Sequence, residues 1–317
     1  MSLRVAFFGT PAFAVPTLDA LLASDHEVVG VVTQPDRPRG RGQQVSEAPV
    51  KERARIAGVP ILQPTRLKDP GFLDAFRAWK ADLGVVAAYG RLLPQVLLDI
   101  PPRGLINVHA SLLPAWRGAS PIQRAVLNDD PVSGVTIMRV VLALDAGPML
   151  ARVEVPIASH DTSGALESRL AIAGASLLRD VVDRMGRGDP IVEVPQDDTK
   201  ATLAPRLEKH EGLIDWTRPA RVVECHVRGM QPWPGAFTFV DGQRLVVREA
   251  SADVCPSGDG EPGALVAPDG EAILLACGDG QCLRVTRVQP EGKRVMTARE
   301  WLLGRRANTP LRAASTP

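Results

Sequence analysis

Apolar runs and amphipathic stretches alternate along the first 188 residues of the chain. Seven apolar runs predict buried strands, at residues 4–9, 27–34, 59–64, 81–90, 104–110, 133–141 and 150–157. Apolar positions three and four residues apart predict helices, at residues 16–25, 46–58, 70–81, 120–130 and 162–188. Alternation of this kind is typical of an α/β domain with a Rossmann-like, mainly parallel sheet, and the last two strand-like runs predict an antiparallel edge.

The pattern changes after residue 188. Residues 189–207 are rich in Pro, Asp and Thr and have no clear period, which predicts a linker. Farther along, an Asp-Gly turn at 241–242 and a Gly-rich turn at 278–280 each separate two short apolar runs. Hairpins of this kind predict a small OB-like β-barrel. We therefore expect domains at 1–188 and 208–317, joined by that linker.

Composition and charge narrow the class of protein. The 317 residues are 45% hydrophobic and 23% charged, as in a soluble globular protein, and the net charge is +1. The four cysteines form no C-x-x-C pair and no histidine stands at zinc-finger spacing, so we expect reduced thiols and no metal site. No segment approaches the length of a membrane-spanning helix. We expect a cytoplasmic monomer with no membrane partner.

The stretch GLINVHASLLPAWRG, residues 104–118, places two polar side chains in an apolar strand. Asn107 and His109 are two residues apart, so they project from the same face. Asp145 lies between two apolar runs, in a loop that could cover this pair. The three residues are either satisfied core polar groups and a loop cap or a reaction centre.

As a reaction centre, the three side chains suit acyl transfer to an amine. A carboxylate orients an imidazole and favours its protonated form, and amide and imidazolium N–H groups stabilise an oxyanion. No serine or cysteine stands in a nucleophile elbow, so the nucleophile must come from a substrate.

Five motifs together resemble the methionyl-tRNA formyltransferase family: INVHASLLPAWRGASPIQRAV, QPDRPRGRG, VVAAYGRLLP, GVTIM…LDAG and EGLIDW…PWPGAF. The resemblance implies formyl transfer from 10-formyltetrahydrofolate to the α-amino group of methionyl initiator tRNA, for translation initiation. Glycinamide ribonucleotide and sugar-nucleotide formyltransferases share the Asn-x-His…Asp pattern. A small-molecule formyltransferase therefore stays open as an alternative, as does a non-enzymatic RNA-binding protein.

The resemblance also implies roles for particular residues. Asn107, His109 and Asp145 match the family's catalytic trio. The family's catalytic loop commonly reads G-L-D-T-G-D, whereas this chain has Ala146 and Pro148 beside Asp145. Residues that would line the folate pocket are Ser111, Leu112, Leu113, Pro114, Ala88, Tyr89 and Gly90. Those that would contact the tRNA are Arg37, Arg39 and Arg41, and the C-terminal barrel would bind it as well.

Two further features bear on RNA binding. Residues 284–312 hold eight Lys or Arg and two Glu, and such a basic stripe could follow an RNA backbone. We expect Trp216, Trp233 and Trp301 to fill the core of the barrel rather than to take part in RNA binding.

Overall fold

A computed structural model of the protein describes residues 1–39, 44–256, 260–305 and 311–314, with backbone alone at 37–39 and 44–46. Packing divides the chain into two units. The first unit comprises Met1–Pro121, Val132–Pro156 and Glu167–Pro205, and the second comprises Ile122–Pro131, Ile157–Leu166 and Arg206–Pro317. The chain passes from the first unit to the second for the last time between Pro205 and Arg206, within the segment 189–207 that the sequence predicts as a linker.

Strands up to residue 204 belong to the first unit. They are β1 (Arg4–Gly9), β2 (Glu27–Val32), β3 (Arg37–Arg39), β4 (Gln44–Ser46), β5 (Ile61–Leu62), β6 (Leu83–Ala87), β7 (Leu105–His109), β8 (Arg117–Gly118), β9 (Val132–Arg139), β10 (Met149–Pro156) and β11 (Leu203–Ala204). Seven of them form one sheet in the order β10-β9-β7-β6-β1-β2-β5. β9 pairs antiparallel with both β7 and β10, whereas the other pairs are parallel. The predicted Rossmann-like sheet and its antiparallel edge are confirmed.

The helices that begin before residue 189 are α1 (Val15–Leu22), α2 (Pro49–Ile56), α3 (Pro70–Ala78), α4 (Gln95–Leu98), α5 (Pro121–Leu127) and α6 (Ser163–Arg187). The longest, α6, spans 25 residues with an apolar stripe that includes Leu170 and Leu178. Within the described ranges, no helix combines the length and hydropathy that a membrane span requires.

The second unit is built on a curled antiparallel sheet. Its elements are α7 (Ala220–Gly229), β12 (Phe237–Val240), β13 (Gln243–Asp253), β14 (Leu265–Asp269), β15 (Ala272–Ala276), β16 (Cys282–Pro290), β17 (Met296–Thr297) and α8 (Ala298–Leu303). The sheet order is β12-β13-β16-β15-β14, and β17 pairs with β16. Residues 311–314 hydrogen-bond to Phe239 of β12 and to residues 263–265 beside β14, so they link the two outer strands. The predicted OB-like, barrel-type sheet is confirmed.

The prediction that all four cysteines are reduced is wrong for two of them. Cys255 and Cys282 form a disulfide bond, 27 residues apart in sequence. The pairing of β13 with β16 sets Asp253 opposite Cys282, which brings Cys255 beside it without any C-x-x-C spacing. Cys225 and Cys277 are free and buried, and burial raises the pKa of their thiols to about 11 and about 12.

The tryptophans divide between core and surface. Trp216 is 3% exposed and packs at the centre of the second unit's core, and Trp301 is partly buried against that core, as predicted. The prediction for Trp233 is wrong, since 47% of this residue is exposed. It stands on the turn between α7 and β12, which the Gly235 N–H closes by donating to the Met230 carbonyl.

Ion pairs neutralise part of the basic stripe. Arg284, Arg305 and Arg312 each contact a carboxylate, at 2.6, 2.7 and 2.8 Å. Asp241 holds Arg305 through both carboxylate oxygens, which raises the pKa of that guanidinium. With three arginines paired in this way, fewer charges remain for an RNA backbone than the sequence suggests.

Candidate active site

Strand β7 holds Asn107 and His109 on one face of the sheet, as their spacing predicts. On the opposite face α6 packs closely, because a Cβ on Gly174 would stand 2.9 Å from Val108. Asn107 is half-buried, and nothing in the described part of the chain hydrogen-bonds to its side-chain amide. The amide is therefore available to a ligand.

The imidazole of His109 is buried between two acceptors. The residue is 5% exposed, and Nε2 donates a hydrogen bond to the Trp116 carbonyl at 3.0 Å. Nδ1 lies 3.7 Å from Oδ2 of Asp145, an electrostatic contact longer than a hydrogen bond. With Nε2 occupied as a donor, the neutral ring carries its free lone pair on Nδ1, beside the carboxylate.

Asp145 reaches His109 because its loop folds back along the strand. The loop between β9 and β10 begins beside the start of β7, where Arg139 lies opposite Ile106. It packs tightly against the end of β9, because a Cβ on Gly147 would stand 1.9 Å from the Arg139 carbonyl oxygen. The backbone of Asp145 has φ +46°, a left-handed conformation that aspartate tolerates better than most residues. Its Oδ2 accepts a hydrogen bond from the Gly118 N–H at 2.9 Å.

Gln196 holds the same loop from the other side, and the sequence gives no signal for it. Its Nε2 donates to the carbonyl oxygens of Asp145 and Gly147, both at 2.8 Å. Its Oε1 accepts from Nε and Nη2 of Arg117, at 3.0 and 2.8 Å. Arg117 directly precedes Gly118, whose N–H donates to the Asp145 carboxylate. The Gln196 amide therefore connects the backbone of the Asp145 loop to the segment that holds the Asp145 carboxylate.

A short parallel strand pair positions Gly118. β8 pairs with β11, so Leu203 lies opposite Arg117 and Ala204 opposite Gly118. Gly118 has φ +127°, and a Cβ there would stand 2.6 Å from the Ala204 carbonyl oxygen. Only glycine combines this conformation with this close approach. The segment predicted as a linker thus supplies backbone that packs against the site within the first unit.

Hydrogen bonds hold the predicted folate-lining turn at 111–114. The Ser111 hydroxyl donates to the Ala115 carbonyl at 2.6 Å, and Thr136 Oγ1 bonds the Ser111 carbonyl at 2.7 Å and the Leu113 N–H at 3.1 Å. Leu113 is 1% exposed, whereas the other apolar members are partly exposed. Folate contact by this turn stays a prediction, and the Ser111 hydroxyl already has an acceptor.

The second predicted folate segment follows β6. Ala88 and Gly90 are exposed, with φ +45° and +79°. Tyr89 points into the core, packing edge-on against Phe8 at 5.6 Å, and its hydroxyl has no hydrogen-bond partner among the described residues. Burial raises the pKa of this phenol to about 12. Gln34 donates to the Tyr89 carbonyl at 2.7 Å, so this segment presents backbone rather than the tyrosine ring.

The arginine-rich segment is described in part. β3 and β4 form an antiparallel pair in which Arg37 lies opposite Ser46 and Arg39 opposite Gln44. Arg41 and the side chains of Arg37 and Arg39 lie outside the described residues. The RNA contacts expected of all three stay a prediction. In the ranges that the structure describes, no cluster of His, Cys, Asp and Glu is arranged to hold a metal ion.

Two family models match the chain in order. The model for formyl transferase matches residues 3–182, and the model for the formyl transferase C-terminal domain matches residues 206–306. The first contains Asn107, His109 and Asp145, and the second covers most of the curled sheet.

Curated relatives match over nearly the full length of the chain. A methionyl-tRNA formyltransferase of Anaeromyxobacter dehalogenans is 48% identical over 298 residues, covering 93% of this chain and 95% of the relative. One from Bacillus licheniformis is 46% identical over 302 residues, with 95% of both chains covered.

Solved structures of lower identity share the fold. An N-formyltransferase from Helicobacter canadensis, in complex with folinic acid and dTDP-3-aminofucose, has a TM-score of 0.67 at 14% identity, covering 91% of this chain and 99% of that one. HypX from Aquifex aeolicus, in complex with tetrahydrofolic acid, has a TM-score of 0.65 at 16% identity, covering 95% of this chain and 47% of that one. Because both domain models match and curated relatives that are 46–48% identical cover 93–95% of the chain, the protein belongs to the methionyl-tRNA formyltransferase family.

Proposed function

We propose that the first unit transfers a formyl group from 10-formyltetrahydrofolate to the α-amino group of methionyl initiator tRNA. The product is the N-formylmethionyl-tRNA with which translation begins. The observation that carries this proposal is the buried imidazole of His109, which faces a carbonyl and a carboxylate beside the free amide of Asn107. This arrangement suits direct attack by an amine on an activated formyl group.

The three side chains divide the work of the transfer. The folate supplies the formyl group. When the amine nitrogen bonds to the formyl carbon, the carbonyl oxygen becomes an oxyanion, and the Asn107 amide donates a hydrogen bond to it. His109 takes the amine proton on Nδ1, its free nitrogen, and Asp145 stabilises the resulting imidazolium. The protonated Nδ1 first donates a hydrogen bond to the oxyanion. It then transfers its proton to the folate nitrogen as the bond between the formyl carbon and that nitrogen breaks.

We place the folate along the exposed backbone of residues 88–90 and the turn at 111–114. Both segments follow strands of the parallel part of the sheet, β6 and β7, and ligands bind at the carboxyl ends of such strands. Ala88 and Gly90 are exposed, so a heterocycle can approach the backbone of this segment.

A comparison of amine acceptors tests the proposed activity. We expect formylation of methionyl initiator tRNA and much slower reaction with amino-sugar nucleotides or small amines. Preference for a small amine would favour the small-molecule alternative. Absence of turnover with every acceptor, alongside tRNA binding, would favour a non-enzymatic RNA-binding protein.

Gln196 is a positioning residue, and its replacement by alanine is expected to lower kcat about 10-fold. Each hydrogen bond that it makes to the catalytic loop is worth about 0.5–1.5 kcal/mol net, so losing two depopulates the productive position of Asp145. The measurement is kcat and KM for charged initiator tRNA. We expect the loss to fall on kcat.

Gln196→Glu separates the hydrogen bonds that Gln196 donates to the loop from those that it accepts from Arg117. A carboxylate keeps an acceptor for Arg117 but cannot donate to the carbonyls of Asp145 and Gly147. It should therefore lose kcat as the alanine variant does. Gln95→Ala, on the exposed surface of α4, serves as the matched control. Wild-type kcat in Gln196→Glu would show that donation to the loop is unimportant.

We also propose that Arg37, Arg39 and Arg41 discriminate the tRNA. Arg41→Ala is expected to lower kcat/KM for initiator tRNA and to reduce the slope of log kcat/KM against log salt by about 0.7–0.9, the contribution of one phosphate contact. Affinity for the folate should not change. Lys68→Ala, an exposed charge elsewhere in the first unit, is the control. Identical salt curves for wild type and Arg41→Ala would contradict this role.

A further inference from the structure

The second unit carries a groove of about 440 Å³ whose lining is entirely basic, aromatic or proline. Its lining residues are Lys209, His210, Trp233, Pro234, Phe237 and Arg244. All of them belong to the second unit, and none is among the residues proposed above for formyl transfer. An apolar surface of this kind, surrounded by positive charge, selects a ligand that has a flat face and a negative group.

Trp233 gives the groove an exposed aromatic surface. Nearly half of the residue is accessible, although tryptophan commonly buries most of its surface. The turn that carries it is fixed, because the Gly235 N–H donates to the Met230 carbonyl at 2.8 Å. The indole is therefore presented by an ordered backbone.

Phe237 and Arg244 form a second flat surface. The guanidinium carbon of Arg244 lies 4.1 Å above the centre of the Phe237 ring. The ring is held in turn by edge-to-face contact with Phe239, at 5.9 Å. A guanidinium fixed on an aromatic ring can stack on a base and also contact a phosphate.

Two basic side chains of the groove, Lys209 and Arg244, have no acidic partner in the described part of the chain, whereas His210 lies within electrostatic range of Glu211. Among the described residues, no carboxylate forms an ion pair with Lys209 or Arg244, whereas several arginines of the basic stripe are paired. The turn that bears Lys209 is fixed to β12, since the Ile214 N–H donates to the Phe237 carbonyl at 2.8 Å. Charge complementarity thus favours an anionic occupant.

From these contacts we infer that the groove binds an unpaired nucleotide of the tRNA substrate, with its base on Trp233 and the Arg244–Phe237 stack and its phosphate at Lys209. The inference rests on the proposed function, because that function brings an RNA to this chain. The groove would be a base-stacking site in addition to the two regions expected to contact the RNA backbone, the arginine-rich segment and the basic stripe. Stacking is tolerant of sequence, so this site contributes affinity rather than the choice of tRNA.

The test measures binding of deacylated initiator tRNA, so that no turnover intervenes. We expect Trp233→Ala to raise Kd about 5- to 100-fold, the usual effect of removing one stacking side chain, and Trp233→Phe to remain near wild type. Lys209→Ala should reduce the slope of log Kd against log salt by about 0.7. Arg218→Ala, which removes one exposed charge of the second unit outside the groove, is the control.

Ultraviolet cross-linking of the wild-type complex locates the base. The expected cross-link joins an unpaired nucleotide to the peptide that contains Trp233 and Phe237. Wild-type affinity and salt slope in both alanine variants, or cross-links only to other peptides, would overturn the inference while leaving the proposed function intact. A wild-type protein that neither binds nor formylates tRNA would overturn the proposed function and this inference with it.

Discussion

Replacing His109 with alanine is expected to lower kcat for formylation on the order of 10²- to 10⁴-fold, the usual contribution of a positioned acid–base group. The substitution removes the imidazole nitrogen that faces Asp145 and, with it, the group proposed to take the amine proton. Binding of the folate and the tRNA should be much less affected, since His109 is 5% exposed and offers little surface to either.

His109→Gln distinguishes chemistry from structure. The glutamine amide can still donate to the Trp116 carbonyl and fill much of the space, so stability should recover, but no proton-accepting nitrogen remains. Single-turnover rates with saturating tRNA and thermal unfolding are the measurements. His160→Gln, at an exposed position, is the control. If His109→Gln recovers the wild-type rate together with stability, the imidazole has only a structural role.

The sequence predicts the fold well where one spacing of apolar residues, that of a strand or that of a helix, continues through a whole element. Apolar runs such as 104–110 became β7, and the spacing of Asn107 and His109 placed both on one face. The loop that carries Asp145 could be predicted only as a loop, because its return toward β7 depends on the close approach of Gly147 to the Arg139 carbonyl. That contact joins residues whose proximity no local period encodes.

The missed residues share a physical cause. Gln196 stands in a segment without periodicity, 79 residues from the arginine that it contacts, and its importance comes entirely from that tertiary contact. Cys255 likewise meets its partner through the register of two long strands. Trp233 was predicted to be buried from residue type alone, whereas the turn on which it stands determines its exposure.

Asp145→Asn is expected to lower kcat on the order of 10²- to 10⁴-fold while leaving the loop in place. The asparagine oxygen can still accept from the Gly118 N–H, and asparagine adopts the left-handed backbone as readily as aspartate, so neither support is lost. What disappears is the negative charge 3.7 Å from Nδ1 of His109. The imidazolium formed during the transfer then has no compensating charge beside it.

The pH dependence of kcat/KM decides what Asp145 does. If the carboxylate stabilises the imidazolium, the profile of Asp145→Asn should differ from that of the wild type, while thermal stability and folate affinity stay the same. Asp99→Asn, on the exposed end of α4, controls for the loss of one negative charge from the first unit. A wild-type rate and pH profile in Asp145→Asn would make Asp145 a loop cap. The proton of the amine would then have to leave by a route that does not depend on a carboxylate beside His109.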